Sequence, residues 1–425
     1  MIYQNWINNT GWEQSDPKLK YLYKQPLQLS HTSRLVEAIQ LQPSGILIVR
    51  GPRQTGKSTF LRQFIKKGLM NDLEPENIGL IEAETLDTRH ELLGILQNFR
   101  ESHSGYCLLC IDEITSIEKW WQALKIAFDD GSAEDMLILC TGSSTLDLSE
   151  GADLLPGRRG RRTPVDFELL PVCYNDVSSH LSLEDFFLTG GFPWAINEFI
   201  RSGSIPQYVY ELYSAWIQGA LLKKKHSVQH LFSLLNYLVK RSGTGLSVAN
   251  LARDCSIGSN HTAEAYLQAL ELNYIILVSH WTDPGTRHQA LRKNRKFYPA
   301  DPFLFHLFHE NNRTHTFTFE NSLSRTSNLE TCGALAECLV ASELRHHSSM
   351  MPIGYFLGKK EIDFIGDQAI EVKYQNHVST EEFGWIEKVI PTNIQLTVIT
   401  KNTHSVKERI RLVPLKTWLI ETGHK

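Results

Sequence analysis

The stretch Gly51-Pro52-Arg53-Gln54-Thr55-Gly56-Lys57-Ser58 constrains this chain more than any other. It follows an apolar run, Gly45 to Val49, and precedes an amphipathic segment from Thr59 to Lys67. Strand, glycine-bracketed loop and helix, in that order, turn the spacing G-x-x-x-x-G-K-S into a phosphate cradle. Gly51 and Gly56 let backbone amides turn inward with no Cβ in the way, and a helix starting near Lys57 adds its positive dipole end. Lys57 can reach the β- and γ-phosphates, and the Ser58 hydroxyl suits Mg²⁺. An ordinary strand-to-helix turn rarely needs this spacing, Lys and Ser together. Residues Gly51 to Thr59 are therefore expected to bind ATP with Mg²⁺.

A chain of 425 residues exceeds a single hydrophobic core; at roughly 100–200 residues per domain, two to four domains are expected. With 42% hydrophobic and 21% charged residues the composition is globular. The net charge of −4 gives no global attraction to nucleic acid, so any such contact must be a local patch. No apolar run is long enough to span a bilayer, and the N-terminus lacks a secretory apolar region, so no membrane partner is expected. Seven scattered cysteines, an odd number, read as reduced thiols in a cytoplasm. Cys107 and Cys110 form a C-x-x-C on opposite faces of one strand, which argues against a metal or redox pair.

From Ser44 to about Asp166 short apolar runs alternate with helical patterns, the signature of a parallel sheet covered by helices. The expected strands are Gly45–Arg50, Ile78–Glu82, Tyr106–Asp112, Met136–Cys140 and Arg162–Phe167; the expected helices are Ser58–Lys67, Thr88–Ser102 and Glu118–Asp130. Before them lies a polar arm, residues 1–43, with a short helix near Thr32–Gln40 packing on the sheet domain. After them the pattern turns helical, interrupted at Thr189-Gly190-Gly191-Phe192-Pro193. Residues 227–300 read as a winged helix: a helix over Ser247–Asp254, a turn at Ser256-Ile257-Gly258, a second helix capped by Ser259, and an extended Tyr274–His280.

Tyr106 to Glu113 is a buried strand ending in two acids, where α/β sheets bind ligands. Asp112 suits the Mg²⁺ shell, and Glu113 suits orienting and deprotonating a water. The same pair could instead cap the next helix. The next strand ends in Thr141-Gly142-Ser143-Ser144, whose hydroxyls, Ser143 first, could sense the γ-phosphate or merely form a turn. Leu155-Pro156-Gly157-Arg158-Arg159-Gly160-Arg161-Arg162 places four arginines in five positions. A guanidinium on the γ-phosphate is worth roughly 10³–10⁵ in rate. Arg158, behind Pro-Gly, is the expected finger, whereas Arg159 and Arg161 equally suit a solvated loop.

GPRQTGKS, CLLCIDE, CTGSS, LPGRRGRR and LTGGFP, in that order, resemble the AAA+ proteins called archaeal-type ATPases. The resemblance runs from about residue 44 to residue 375. It implies an AAA+ core over 44–168, a helical lid over 169–226, a winged helix over 227–300, a linker over 301–330 and a nuclease-like α/β domain over 331–425. It also implies ATP hydrolysis, and a homo-oligomer is the partner that an arginine finger acting in trans would need.

Glu361 to Ile365, then Gly366-Asp367-Gln368, then Ala369 to Lys373 read as a hairpin with a three-residue loop. Alternation puts Glu361, Asp363, Glu371 and Lys373 on one face, with Asp363 opposite Glu371 and Glu361 opposite Lys373. Two opposed acids destabilise a hairpin unless something positive lies between them, and a divalent ion would serve, with the Val372 carbonyl as a further ligand. Glu337 sits in a nearly apolar helix over Thr331–His346 and needs a partner of its own. Glu337, Asp363 and Glu371-x-Lys373 resemble the PD-(D/E)XK nuclease constellation, in which the acids hold Mg²⁺ and the Lys serves the attacking water. The departure is Ile362 where a Pro would stand, and a solvated hairpin face is the alternative.

His226 and His230 lie one turn apart without an evident third ligand. The second helix of the winged-helix segment offers Asn260, His261 and Glu264 but no cation, whereas Arg287, Arg292, Lys293, Arg295 and Lys296 suit phosphates. The first reading is an ATPase coupled to a metal-dependent nuclease acting on nucleic acid, DNA foremost, in defence or repair. Its rivals are a nucleotide-switched scaffold with an inactive nuclease-like domain and an ATPase that remodels a protein partner.

Overall fold

The apolar runs of the first third of the chain become the strands of a parallel sheet, as their unbroken hydrophobicity requires. In the computed structural model, residues 2–7, 11–142, 148, 151–155, 157–160, 163–222, 227–309, 318–347 and 353–423 are described. Ser143, Ser144, Arg161, Arg162 and His226 lie outside them. The chain divides into two units, Met1–Leu170 and Pro171–Lys425.

In the first unit β1 (Gly45–Arg50), β2 (Ile78–Glu82), β3 (Cys107–Asp112), β4 (Met136–Thr141) and β5 (Asp166–Glu168) lie in the order β2-β3-β4-β1-β5, all pairs parallel. The fifth strand starts later than its apolar pattern suggests; Pro164 has no N–H for a ladder. Helices Lys57–Met70, Arg89–Ser102 and Trp120–Asp129 supply the layers on the sheet faces, and every residue of β3 is buried between two cores. The first residues of the chain pack on this sheet. Their helix His31–Ala38 and the buried Trp6, Trp12 and Leu19 join Phe60, Leu61 and Phe64 in one core.

The second unit opens with helices and closes on a mixed sheet. Ser247 and Ser259 cap helices Val248–Asp254 and Asn260–Leu272 through the amides of Asn250 and Thr262. An antiparallel hairpin follows, β6 (Ile276–Trp281) and β7 (Arg295–Pro299). Beyond helix Leu329–His347 come β8 (Gly354–Leu357), β9 (Glu361–Ile365), β10 (Ala369–Lys373), β11 (Leu396–Thr400), β12 (Ser405–Lys407) and β13 (Ile410–Pro414). Among the described residues these strands form one sheet in the order β12-β13-β11-β10-β9-β8-β6-β7. The segments 227–300 and 331–425 thus share a sheet, joined where His280 and Trp281 pair with Gly354 and Tyr355. A two-stranded hairpin is marginal alone, and β8 covers its open edge.

The Gly190-Gly191 pair wraps a buried carboxylate. Asp301 accepts from the amides of Gly191 and Phe303, each at 2.8 Å. Gly190 has φ +52° and a Cβ there would overlap Asp301 Oδ1, so the motif is a close backbone approach. Burial pushes the Asp301 carboxyl up to about 7, against the pull of the two amides. No helix among the described residues is long and apolar enough to cross a membrane.

Candidate functional site

The nucleotide loop joins β1 to helix Lys57–Met70, which starts behind Gly56 in the left-handed region at φ +97°. Gln54 shares that region at φ +64°, so two residues turn the loop amides inward. Gly51 lets the loop pass the Leu169 carbonyl, which a Cβ would strike. Lys57 Nζ lies across the loop, donating to the carbonyls of Gly51 (2.9 Å) and Pro52 (2.7 Å). Burial pulls this ammonium down to about 8, against the opposing pull of Glu113 and Asp112. His31 Nε2 meets the Thr55 carbonyl at 2.7 Å, and Thr55 Oγ1 donates to the Pro52 carbonyl, so the arm braces the loop. Pro52 is buried, whereas Arg53 and Gln54 are exposed and Ser58 and Thr59 half-buried at the helix start.

At the end of β3, Thr141 ties the two acids together. Its hydroxyl donates to Asp112 Oδ1 at 2.7 Å and accepts from the Glu113 amide at 3.3 Å. Glu113 is left-handed at φ +51°, a costly conformation for a side-chain residue, and its Oε1 accepts from Thr115. Arg62 is a hub that the sequence reading missed. It donates to Asp16 (2.9 Å), Glu82 (2.8 Å) and the Ser58 carbonyl (3.0 Å), and lies 3.9 Å from Asp112. Asp16 is fully buried and also caps helix Pro17–Tyr23 through the amides of Lys18 and Leu19. Asp before Pro, the mark of a helix cap, was the available signal.

Arg158 stands elsewhere. Its guanidinium grips Asp129 with two hydrogen bonds of 2.7 and 3.0 Å. The neighbouring Arg159 carbonyl would be struck by a Cβ on Gly45, and Gly160 packs on Ser44. This loop therefore lies at the start of β1, whereas the nucleotide loop follows its end. At about 3.3 Å per residue the six-residue strand separates them by roughly 16 Å. Arg159 is held by Asp166 and the Val165 carbonyl.

In the second unit the hairpin forms with the expected loop and register, Ala369 opposite Ile365 and Ile370 opposite Phe364. Beyond them carboxylates replace the ladder. Asp363 Oδ2 accepts from the Val372 amide at 2.9 Å, and Glu371 Oε2 accepts from the Asp363 amide at 3.2 Å. Both acids are buried, so this is not a solvated face.

The charge facing them comes from two lysines. Lys373 Nζ lies 2.8 Å from Glu371 Oε1. Lys296, wholly buried, donates to Asp363 Oδ1 at 2.9 Å and pairs with Glu361. Lys296 was expected to face phosphates from a wing; alternation along β7 puts it with the buried Tyr298 on the inner face. Burial acts against its charge, yet Tyr298, Asp363, Glu361 and Glu337 outweigh it and hold the ammonium well above its ordinary range.

Glu337 completes the cluster from helix Leu329–His347. The residue is half-buried, but its Oε2 is sealed from solvent and has no hydrogen-bond partner among the described residues. Gly243, at φ +76°, closes over that oxygen so tightly that a Cβ would overlap it. Burial first, then Asp363, push the Glu337 carboxyl well above its usual range, and the same two causes push Glu371 up to about 7. Four carboxylates against two ammonium groups leave two negative charges when all are ionised. Among the described residues no three acids, histidines or cysteines are already gathered at metal-ligand spacing. An ion would draw Glu337 towards Asp363 and Glu371; the sealed oxygen and the residual charge suit one.

Three of the other wing cations are engaged. Arg287 pairs with Asp367 at 3.0 Å, Arg295 with Glu264, and Lys293 lies 3.1 Å above the Trp281 ring. A cleft of about 540 Å³ opens instead beside Lys373, lined also by Lys401, Tyr374, Gln375, Asn376 and Glu330.

Residues 43–178 match the family model of the AAA domain, and residues 180–314 match a domain of unknown function (DUF8612). The chain is 25% identical to the uncharacterized protein MJ1544 of Methanocaldococcus jannaschii, with 89% of each chain covered. Among solved structures it is similar to the Walker-type ATPase PABY2304 of Pyrococcus abyssi, at 17% identity, 66% of this chain, 94% of that one and a TM-score of 0.43. The RuvB Holliday junction branch migration motor of Thermotoga maritima matches at 13% identity, 66% of this chain, 91% of that one and a TM-score of 0.30. The first unit has the α/β P-loop fold of AAA+ ATPases, which supports ATP binding and hydrolysis.

Proposed function

We propose that the chain couples ATP hydrolysis in its first unit to metal-dependent cleavage of nucleic acid, DNA foremost, at the carboxylate cluster of its second. The observation that carries the second half is the buried cluster, two negative charges in excess when all its groups are ionised, with the unpartnered Glu337 oxygen. In the first unit Lys57 binds the β- and γ-phosphates, Ser58 and Asp112 would hold Mg²⁺, and Glu113 takes the proton of the attacking water. In the second, Glu337, Asp363 and Glu371 would hold Mg²⁺, which supplies charge stabilisation at the phosphodiester. Lys373 holds the attacking water, and Lys401 across the cleft receives the strand's phosphates. On this reading residues 227–300 and 331–425 are a winged helix and a nuclease-like domain sharing one sheet, and 169–226 is a lid.

The loop of Arg158 lies at the far end of β1 from the nucleotide loop, which favours a role in a neighbouring copy. Mixing inactive Arg158→Ala with inactive Glu113→Gln protein then restores ATP turnover; no recovery at any concentration would leave Arg158 as the anchor of Asp129.

Nicking of supercoiled plasmid in Mg²⁺, with and without ATP, tests the whole. Wild type nicks, and Asp363→Asn and Lys373→Ala do not. The second reading, a nucleotide-switched scaffold, draws on Lys296, whose ammonium neutralises Asp363 and Glu361 without any metal. ATP turnover with no cleavage of plasmid, single strands or RNA would put that reading first.

A further inference from the structure

Lys296 belongs to β7, outside the hairpin that carries Glu361, Asp363, Glu371 and Lys373. We propose that Lys296 is a built-in cation that takes one cation position of the carboxylate cluster, so that the cluster binds a single divalent ion, among Glu337, Asp363 and Glu371. The inference rests on the metal-site reading above.

Geometry assigns the lysine. Its backbone is held by pairing with Ser279 in the β6–β7 ladder, so the ammonium is delivered from a fixed strand. Its side chain has no solvent exposure and its Nζ lies 5.4 Å from the Tyr355 ring centroid. A sealed ammonium cannot leave to meet a phosphate, so it serves the acids alone. It consumes Glu361 and one oxygen of Asp363. Left to meet an ion are Glu337, the second lone pair of the Asp363 oxygen that takes the Val372 amide, and those of Glu371 beside the Asp363 amide and Lys373.

Charge then sets the number. With Lys296 and Lys373 in place, and every carboxyl ionised as a bound ion requires, the four carboxylates keep two negative charges, and one divalent ion cancels them. A second would leave the buried cluster doubly positive, which desolvation penalises heavily. A two-ion site clamps both the attacking and the leaving oxygen. Here Lys296 pairs with Asp363 and Glu361; it is a positioning residue that keeps Glu361 and one Asp363 oxygen from the ion.

The test counts ions on the full chain, stripped of nucleotide and metal, by electron paramagnetic resonance of Mn²⁺ and by calorimetry. Ions of the cluster are those whose affinity falls at least about tenfold in Glu371→Gln, the scale of a lost ligand contact. Wild type and Lys296→Arg bind one cluster ion; Lys296→Met, with three uncancelled charges, binds two. Should Lys296→Met not fold, the wild-type count still decides. Two cluster ions in wild type, or one in a folded Lys296→Met, would overturn the inference and leave the metal reading standing. No cluster ion in wild type would overturn both.

Discussion

Asp363→Asn in the metal-free protein separates what the cluster does from what its acids alone suggest. Opposed acids predict that removing one charge relieves repulsion and raises the melting temperature. The structure predicts the reverse. Asp363 accepts from Lys296 and from the Val372 amide, at 2.9 Å each. An asparagine has one oxygen and can serve one of them well. The other is left buried without its acceptor, at about 1–3 kcal/mol, and Lys296 loses a charge partner while keeping Glu361. The loss is about 2–4 kcal/mol. Against it stands the relief of Glu371, which is displaced from 4.5 to about 7 with burial the larger cause. Asp363 is the smaller of the two raising causes, on the order of 1–2 kcal/mol. At pH 8, where the repulsion is greatest, the variant is therefore destabilised by about 1–2 kcal/mol, a fall of about 2–8 °C for a unit of this size. Calorimetry of the full chain in EDTA checks this; a fragment starting at residue 328 would lack Lys296. A midpoint at or above wild type would show that Lys296 does not compensate the acids.

Lys57→Ala should abolish binding of a fluorescent ATP analogue, whereas Glu113→Gln should bind it and release no phosphate, since the water-activating carboxylate alone is lost. Arg62→Ala leaves the fully buried Asp16 without its counter-ion and should cost the first unit about 3–5 kcal/mol in urea unfolding, partly recovered in Arg62→Ala/Asp16→Ala. Asp301 is raised to about 7, so the stability linked to its protonated form is present below the ordinary aspartate range and is lost as pH rises towards 7. Wild type should lose up to about 4 kcal/mol between pH 4 and pH 8 through this group, and Asp301→Asn should flatten the profile between pH 5 and pH 7.

Local chemistry made much of this protein legible in its sequence. The nucleotide loop, the strand ending in Asp112 and Glu113, the Ser247 and Ser259 caps and the hairpin about Asp367 each declare themselves within a dozen residues, because turn geometry, capping and alternation are short-range effects. What the sequence could not carry is which distant charges meet. Arg62 and Asp16 are 46 residues apart, and Lys296 and Asp363 are 67 apart. Such pairs form only when elements pack, and burial then makes them strong. A basic run near a turn, Arg287 to Lys296, looks like a phosphate-binding wing in one dimension. Folded, it disperses to Asp367, Glu264, Trp281 and the carboxylate cluster. The sign of a residue's charge was written in the sequence; its partner, and hence its role, was decided by the sheet that draws β7 and β9 together.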